Sequence, residues 1–348
     1  MGETGLSSYA NVVTQPVSFI KSTKGDSYKM EGSKLLELYR QMYLMRRFEE
    51  EAAKAYTEKK IAGFLHLYIG QEAVATGVLA ATEKKDYIVS AYRDHAHYLA
   101  RGGSAREGMS ELFGKATGCS KGRGGSMHFF DVPNNFMGGH GIIGAHVPLA
   151  TGFGFASNYR NEGAVAVCFL GEGATSIGPF HEGLCLASLY NLPVVFVIEN
   201  NGYAMGTPQS RQMIAQDVSI RALAYPMARG TYEGYDVEEC FEVGKEAIER
   251  ARNGGGPTLL EFKTYRHRGH SMADPGKYRS KEEVEDYKKN YDPITLLQAR
   301  LDRDFSAISS QTSAIRAEVE QEVLDAVAFA DSSPFPDEST VEHYTYVD

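Results

Sequence analysis

Residues 164–201, AVAVCFLGEGATSIGPFHEGLCLASLYNLPVVFVIENN, decide the fold. Ala164–Leu170 is an unbroken apolar run, short and rich in valine, and reads as a strand buried on both faces. GEGATSIGP turns, Phe180–Tyr190 suits a helix, and Leu192–Ile198 is a second apolar run ending in Glu199-Asn200-Asn201. Strand, helix and strand in so short a length make a right-handed crossover between parallel strands.

Working outward, a helix over Val237–Arg252 followed by a strand over Thr258–Tyr265 extends the alternation. The expected class is α/β, an open, mostly parallel sheet flanked by helices. Upstream, Leu35, Leu38, Tyr39, Met42, Met45 and Phe48 recur at helical spacing between Lys34 and about Lys59. The charged run Arg46–Glu51 reads as that helix's solvated face. GFLHLYIGQEAVATG (63–77) reads as a loop entering a helix, and residues 280–330 as largely helical. Glycine is dense between Gly102 and Gly154, in GRGGSMH (122–128) and GGHGIIGAHVP (138–148). Such backbone turns sharply or approaches a ligand closely. Phe129, Phe130, Ile142 and Ile143, interleaved among the glycines, are residues of the buried type. The expected organisation is a flexible helical N-terminal arm (1–33), one α/β domain (34–330) with a helical C-terminal region, and a tail (331–348).

The 348 residues carry a formal net charge of -9 with acids and bases interleaved, which argues against broad nucleic-acid binding. No stretch approaches the roughly 18 apolar residues of a membrane span, and the polar first 30 residues lack a secretory core. Cys119, Cys168, Cys185 and Cys240 are scattered, without metal spacing. Cys168 and Cys185, inside apolar runs, read as small buried hydrophobes. Reduced cysteines suit a cytosol or an organelle matrix.

In an open parallel sheet, ligands bind beyond the carboxyl ends of the strands. Glu172 follows one strand and Asn201 the next, so neighbouring strands would bring a carboxylate and an amide oxygen to one rim. Gly171 and Gly173 let the turn approach a phosphate, and the following helix can offer it amide groups. With a carbonyl, for which Tyr203 is the natural source, these oxygens make a magnesium site that leaves positions for phosphate oxygens and water.

GEG followed by helix, strand and NN resembles the thiamine-diphosphate motif, usually written GDG…NN. The flanking residues, with GFLHLYIGQEA, AYRDHAH (91–97), GGHGIIGAHVPLATG and TYRHRGHSMADPGKYR (264–279), resemble alpha subunits of 2-oxo acid dehydrogenases from about Lys34 to Tyr291. The resemblance implies the thiamine-diphosphate-binding fold, with Glu172, Asn201 and the Tyr203 carbonyl on Mg2+. Asp is common at the first of these positions; Glu occurs in branched-chain members. Gly173 and Ala174 would line the diphosphate, with Tyr92, Arg93 and Arg266 in contact with it; a guanidinium offers phosphate a fixed fork of donors. Gly141 and Ile143 would meet the aminopyrimidine. His66 and His270 match the active-site histidines, steering protons during decarboxylation and acyl transfer. Residues 264–279, with Gly269, Asp274 and Gly276, resemble a loop that orders over bound cofactor. Ser271 matches a serine phosphorylated in some eukaryotic relatives, whereas Pro208 and Lys277 stand near the other two regulated places.

The chemistry implied is the cofactor's own, a thiazolium carbanion with a ring that stores electrons as carbon dioxide leaves a 2-oxo acid. Forming it requires a glutamate beside the aminopyrimidine, and no residue here stands out for that task. In two-chain families of this type the glutamate sits on a beta subunit. The resemblance therefore implies an alpha2-beta2 tetramer that passes its acyl group to a lipoyl-bearing acyltransferase. Pyruvate is favoured over branched-chain 2-oxo acids and acetoin, although His146 departs from a glutamine common in the pyruvate enzymes. A bacterial source implies the cytoplasm, a eukaryotic one the mitochondrial or plastid matrix. Two rivals are a nicotinamide-dinucleotide-binding protein and a non-catalytic scaffold. The first needs a third glycine at G-x-G-x-x-G spacing, where GEGATSIG has Ser176.

Overall fold

The computed structural model describes residues 30–343; residues 1–29 of the expected arm and the last five of the expected tail lie outside them. Helix α1 (Gly32–Thr57) buries Leu35, Leu38, Tyr39, Met42, Met45 and Phe48 along one stripe, as their spacing requires. In chain order there follow α2 (Glu72–Ala80), β1 (Tyr87–Ala91), α3 (His95–Ala100), α4 (Ala105–Leu112), β2 (Phe136–His140) and α5 (His146–Arg160). The deciding segment forms β3 (Ala166–Gly171), a 3-10 turn over Glu172–Ser176, α6 (Gly178–Leu189) and β4 (Val194–Asn200). A two-residue hairpin, β5 (Tyr203–Ala204) and β6 (Thr207–Pro208), precedes β7 (Ala228–Glu233), α7 (Val237–Arg250) and β8 (Thr258–Lys263). Helices α8 (Lys281–Asn290), α9 (Pro293–Asp304), α10 (Ser306–Ser309) and α11 (Gln311–Ser332) complete the helical C-terminal region.

The main sheet has the order β2-β1-β3-β4-β8-β7 and every pairing is parallel. Each half has a local cause. β3 and β4 are buried almost throughout, and Pro179 starts α6 where a missing amide costs nothing. The Asp236 carboxylate caps α7 by accepting from the amides of Glu238 and Glu239. Gly77 lets α2 lie against α7, because a Cβ there would stand 2.5 Å from Cys240 Cβ.

β1 pairs with both β2 and β3 while the chain runs outward on either side of it, so the strand order reverses between β1 and β3. Gly171 pairs with Glu199, which brings Glu172 and Asn201 to one rim beside that switch point.

Three local expectations fail. Arg46 and Glu49 are not a solvated face: Arg46 pairs with Glu72 at 2.6 Å and Asp292 at 2.7 Å, and Glu49 is 1% exposed. Cys185 lies on the outer side of α6 and is exposed. Phe130, Ile142 and Ile143 are exposed as well, while Phe129 is buried. Among the described residues no helix is long and apolar enough to cross a membrane.

Candidate active site

A cavity of about 780 Å³ opens at the carboxyl ends of β1, β3 and β4. Every residue assigned to the site from sequence lines it: Glu172, Asn201 and Tyr203; Tyr92, Arg93 and Arg266; Gly141, Ile143, Gly173 and Ala174; His66 and His270.

Glu172 is buried, and burial pushes its carboxyl above the usual carboxylate range, against the opposing pull of nearby main-chain amides and Arg266. Its Oε1 has no hydrogen-bond partner, nor does Oδ1 of Asn201, whose amide nitrogen donates to Gln71 at 3.2 Å. Two orphaned buried oxygens just past the ends of adjacent strands fit a cation. No group of three His, Cys, Asp or Glu assembles a metal site among the described residues, so a cation here rests on a mixed oxygen set. Gly173 keeps the turn close to the hairpin: a Cβ on it would stand 2.7 Å from that of Ala204.

Two arginines also line the cavity. Arg93 spends its guanidinium on carbonyls, of Leu67 at 2.6 Å and His270 at 2.8 Å. Arg266, 2% exposed, donates to the Met205 carbonyl at 2.9 Å. Neither forms a salt bridge among the described residues. Burial and then the neighbouring Arg93 push Arg266 down to about 10. Two buried guanidinia that repel each other and lack a carboxylate partner fit a phosphate group.

His66, Tyr92 and His270 form an aromatic cluster at the mouth, with His66–Tyr92 centroids 4.8 Å apart and His66–His270 5.2 Å apart. Burial, then Arg93, lowers His66 to about 3 and His270 to about 4, so both rings are neutral near pH 7. Arg266 donates to His270 Nδ1 at 3.0 Å, which leaves the ring proton of His270 on Nε2. Asp274 holds the loop by accepting from the His270 amide at 2.6 Å and the Tyr278 hydroxyl at 2.8 Å.

Sequence reasoning missed several members. Gln71 orients Asn201, and its place inside GFLHLYIGQEA was the available signal. Glu199, next to the Asn-Asn pair, is buried and accepts from Tyr68 and from His97 Nε2. The Met205 carbonyl had no sequence signal at all.

An open parallel sheet with orphaned oxygens and buried guanidinia gathered at its switch point is the setting in which α/β enzymes of the phosphate-cofactor class bind their ligands. The chain belongs to the dehydrogenase E1 component family, whose sequence pattern matches residues 40–339. A Rickettsia felis protein named pyruvate dehydrogenase E1 component subunit alpha is 44% identical over 324 residues, 93% of this chain and 98% of its own length. The protein of the same name from Rhizobium meliloti is 46% identical over 310 residues, 89% of this chain and 88% of its own. That from Porphyra purpurea is 43% identical over 333 residues, 94% and 96% of the two chains.

Proposed function

We propose that this protein is the alpha subunit of a pyruvate dehydrogenase of the acetyl-transferring type, with 34–330 as its single cofactor-binding domain. The carrying observation is the pairing, in one cavity, of two orphaned oxygens with two guanidinia that have no carboxylate partner. Family membership implies thiamine diphosphate, and the names of the relatives support pyruvate as substrate. The donor set supports magnesium: Glu172, Asn201 and the Tyr203 carbonyl would hold it, and Arg93 and Arg266, with Tyr92, would hold the diphosphate. Gly141 and Ile143 would meet the aminopyrimidine with main-chain groups. When bound, thiamine diphosphate supplies the carbon nucleophile and the electron sink.

The chain's own residues orient substrate and handle protons. His270 offers its Nε2 proton to the developing oxyanion or the lipoyl sulfur, with Arg266 fixing the ring. His66, neutral and with Nδ1 unpartnered among the described residues, can accept a hydrogen bond that orients the substrate or the lipoyl arm. Tyr92 and Phe64 add aromatic surface to the cavity lining.

The carboxylates lining the cavity are Glu172, Glu199 and Asp274. The first is assigned to the cation, and the other two are engaged by tyrosine hydroxyls and by histidine groups. This supports a partner beta subunit that brings the missing glutamate, in an alpha2-beta2 tetramer. Family membership implies a lipoyl acyltransferase as acceptor, and the bacterial relatives favour the cytoplasm. Calorimetry with Mg2+ and thiamine diphosphate tests the reading, on the chain alone and co-expressed with a beta subunit. Tight binding is expected only in the complex, and Asn201→Ala should abolish it with the fold intact. Unchanged binding by that variant would remove the proposed site.

A further inference from the structure

His146 opens α5 and is fully buried, yet it lines the cavity beside Gly144, Gly171 and Ala174. Its Nε2 lies 3.0 Å from the main-chain oxygen of Phe169. A carbonyl only accepts, so the ring proton sits on Nε2 and Nδ1 carries the lone pair. Nδ1 has no partner. His140 stacks parallel to it with centroids 6.1 Å apart, but the His140 Nε2 is used on the Met137 carbonyl at 3.1 Å. Burial, then His140, holds His146 down to about 4, so the ring is neutral near pH 7 and protonation does not satisfy the nitrogen. A buried acceptor without a protein donor is costly and calls for a donor from a bound ligand.

We propose that His146 is a ligand-reading residue of the cavity wall, its Nδ1 accepting a hydrogen bond from an N–H or O–H donor of the bound cofactor assembly. The inference rests on the functional reading above. Two sources share this donor chemistry: the amino group of an aminopyrimidine, and a water bound to magnesium. The turn that delivers His146 also carries Gly141 and Ile143, the residues assigned to the aminopyrimidine, which favours the amino group. Because the only N–H of His146 is committed to Phe169, the residue can accept and cannot donate. It thus selects ligands that present a donor at this point and disfavours analogues that present an acceptor.

The test uses the alpha–beta complex and calorimetry with two ligands, Mg2+–thiamine diphosphate and Mg2+–pyrophosphate. His146→Leu should bind Mg2+–thiamine diphosphate about tenfold more weakly, the loss of one good hydrogen bond. His146→Gln should retain wild-type affinity, since its amide can serve the Phe169 carbonyl and still present an oxygen. Unchanged pyrophosphate binding by the leucine variant assigns the donor to the aminopyrimidine; equal weakening of both ligands assigns it to the metal-bound water. Wild-type affinity for both ligands in His146→Leu would overturn the proposal. A wild-type complex that binds neither ligand would overturn the functional reading itself, a separate result. An independent readout needs no variant: the 15N resonance of Nδ1 in histidine-labelled wild-type complex should move upfield on adding Mg2+–thiamine diphosphate. A stationary resonance would also sink the idea.

Discussion

Arg46 lies between two carboxylates that have little access to water: Glu72 is fully buried and Asp292 is 9% exposed in its side chain. Glu72 also accepts from the amide of Gly70, at the bend that turns the chain from His66 toward α2. Replacing Arg46 with Met would leave Glu72 charged and uncompensated in the interior. Removing one partner of a buried pair typically costs about 3–5 kcal/mol, far more than an exposed pair is worth. We expect Arg46→Met to lose stability in that range by urea denaturation. A loss under about 1 kcal/mol would mean that water reaches the pair. The role was half legible in the sequence. Glu49 lies four residues after Met45 and three before Ala52, on the apolar stripe itself, so helical spacing alone would have turned it inward. The partners of Arg46 were not legible, because Glu72 and Asp292 come from distant parts of the chain.

At the scale of elements, α8 latches the hairpin beside Glu172 and Asn201. The Glu283 carboxylate accepts from the hydroxyls of Tyr203 at 3.0 Å and Tyr265 at 2.7 Å, while Tyr265 stacks on Tyr287 with centroids 3.9 Å apart. Tyr203 is the residue whose carbonyl we assign to magnesium, and the chain from Arg268 to Ser280 spans the gap between Tyr265 and α8. Hydrogen bonds to a charged group are worth about 1.5–3 kcal/mol each when well desolvated, and less where half exposed as here. Glu283→Leu should therefore raise the rate of proteolysis within 268–280 about tenfold and weaken magnesium binding in the complex, whereas Glu283→Gln should keep most of both. Equal protection in wild type and Glu283→Leu would show that other contacts hold the loop. The elements that sequence revealed were those with one dominant pattern: the apolar runs of β3 and β4, and the periodic stripe of α1. It was silent on β1, β2 and β7. β2 is FMGGH, with two glycines; β1 is only five residues; β7 is a polar edge strand, ARGTYE. Glu172 and Asn201 were legible because each sits just past the end of an apolar strand, and the remaining members of the candidate site came from the resemblance. The assembly of the site was not legible, because the reversal of strand order between β1 and β3 depends on pairings no local pattern encodes.

Across the whole molecule, buried ionisable groups pull the pH profile of stability in opposite directions. Burial, first among the causes, lowers His66 to about 3 and His146, His267 and His270 to about 4. Their unfolded forms bind protons near pH 6.5, so their stabilising contribution is complete above that pH and is lost as pH falls toward 4. Asp94 and Glu238 act the other way, raised by burial to about 8 and about 7. An acid whose folded pKa is raised favours folding at low pH and weakens it as pH climbs. Their effects overlap across the same pH range and are separable only by difference. Asp94 is the cleanest case, fully buried, with Oδ2 accepting from the Phe129 amide at 3.0 Å and Oδ1 unpartnered. Asp94→Asn keeps an acceptor for Phe129 and removes the titration, while every other group is common to both proteins. Between about pH 4 and about pH 8 the unfolded wild type releases a proton that the folded form retains. Wild-type stability therefore falls relative to the variant by up to about 1.4 kcal/mol per pH unit. Urea midpoints taken at intervals from pH 4.5 to 8.5 should show the variant gaining steadily on the wild type as pH rises. A pH-independent difference would mean that Asp94 is already ionised in the folded protein, with His95 beside it outweighing the desolvation that now dominates.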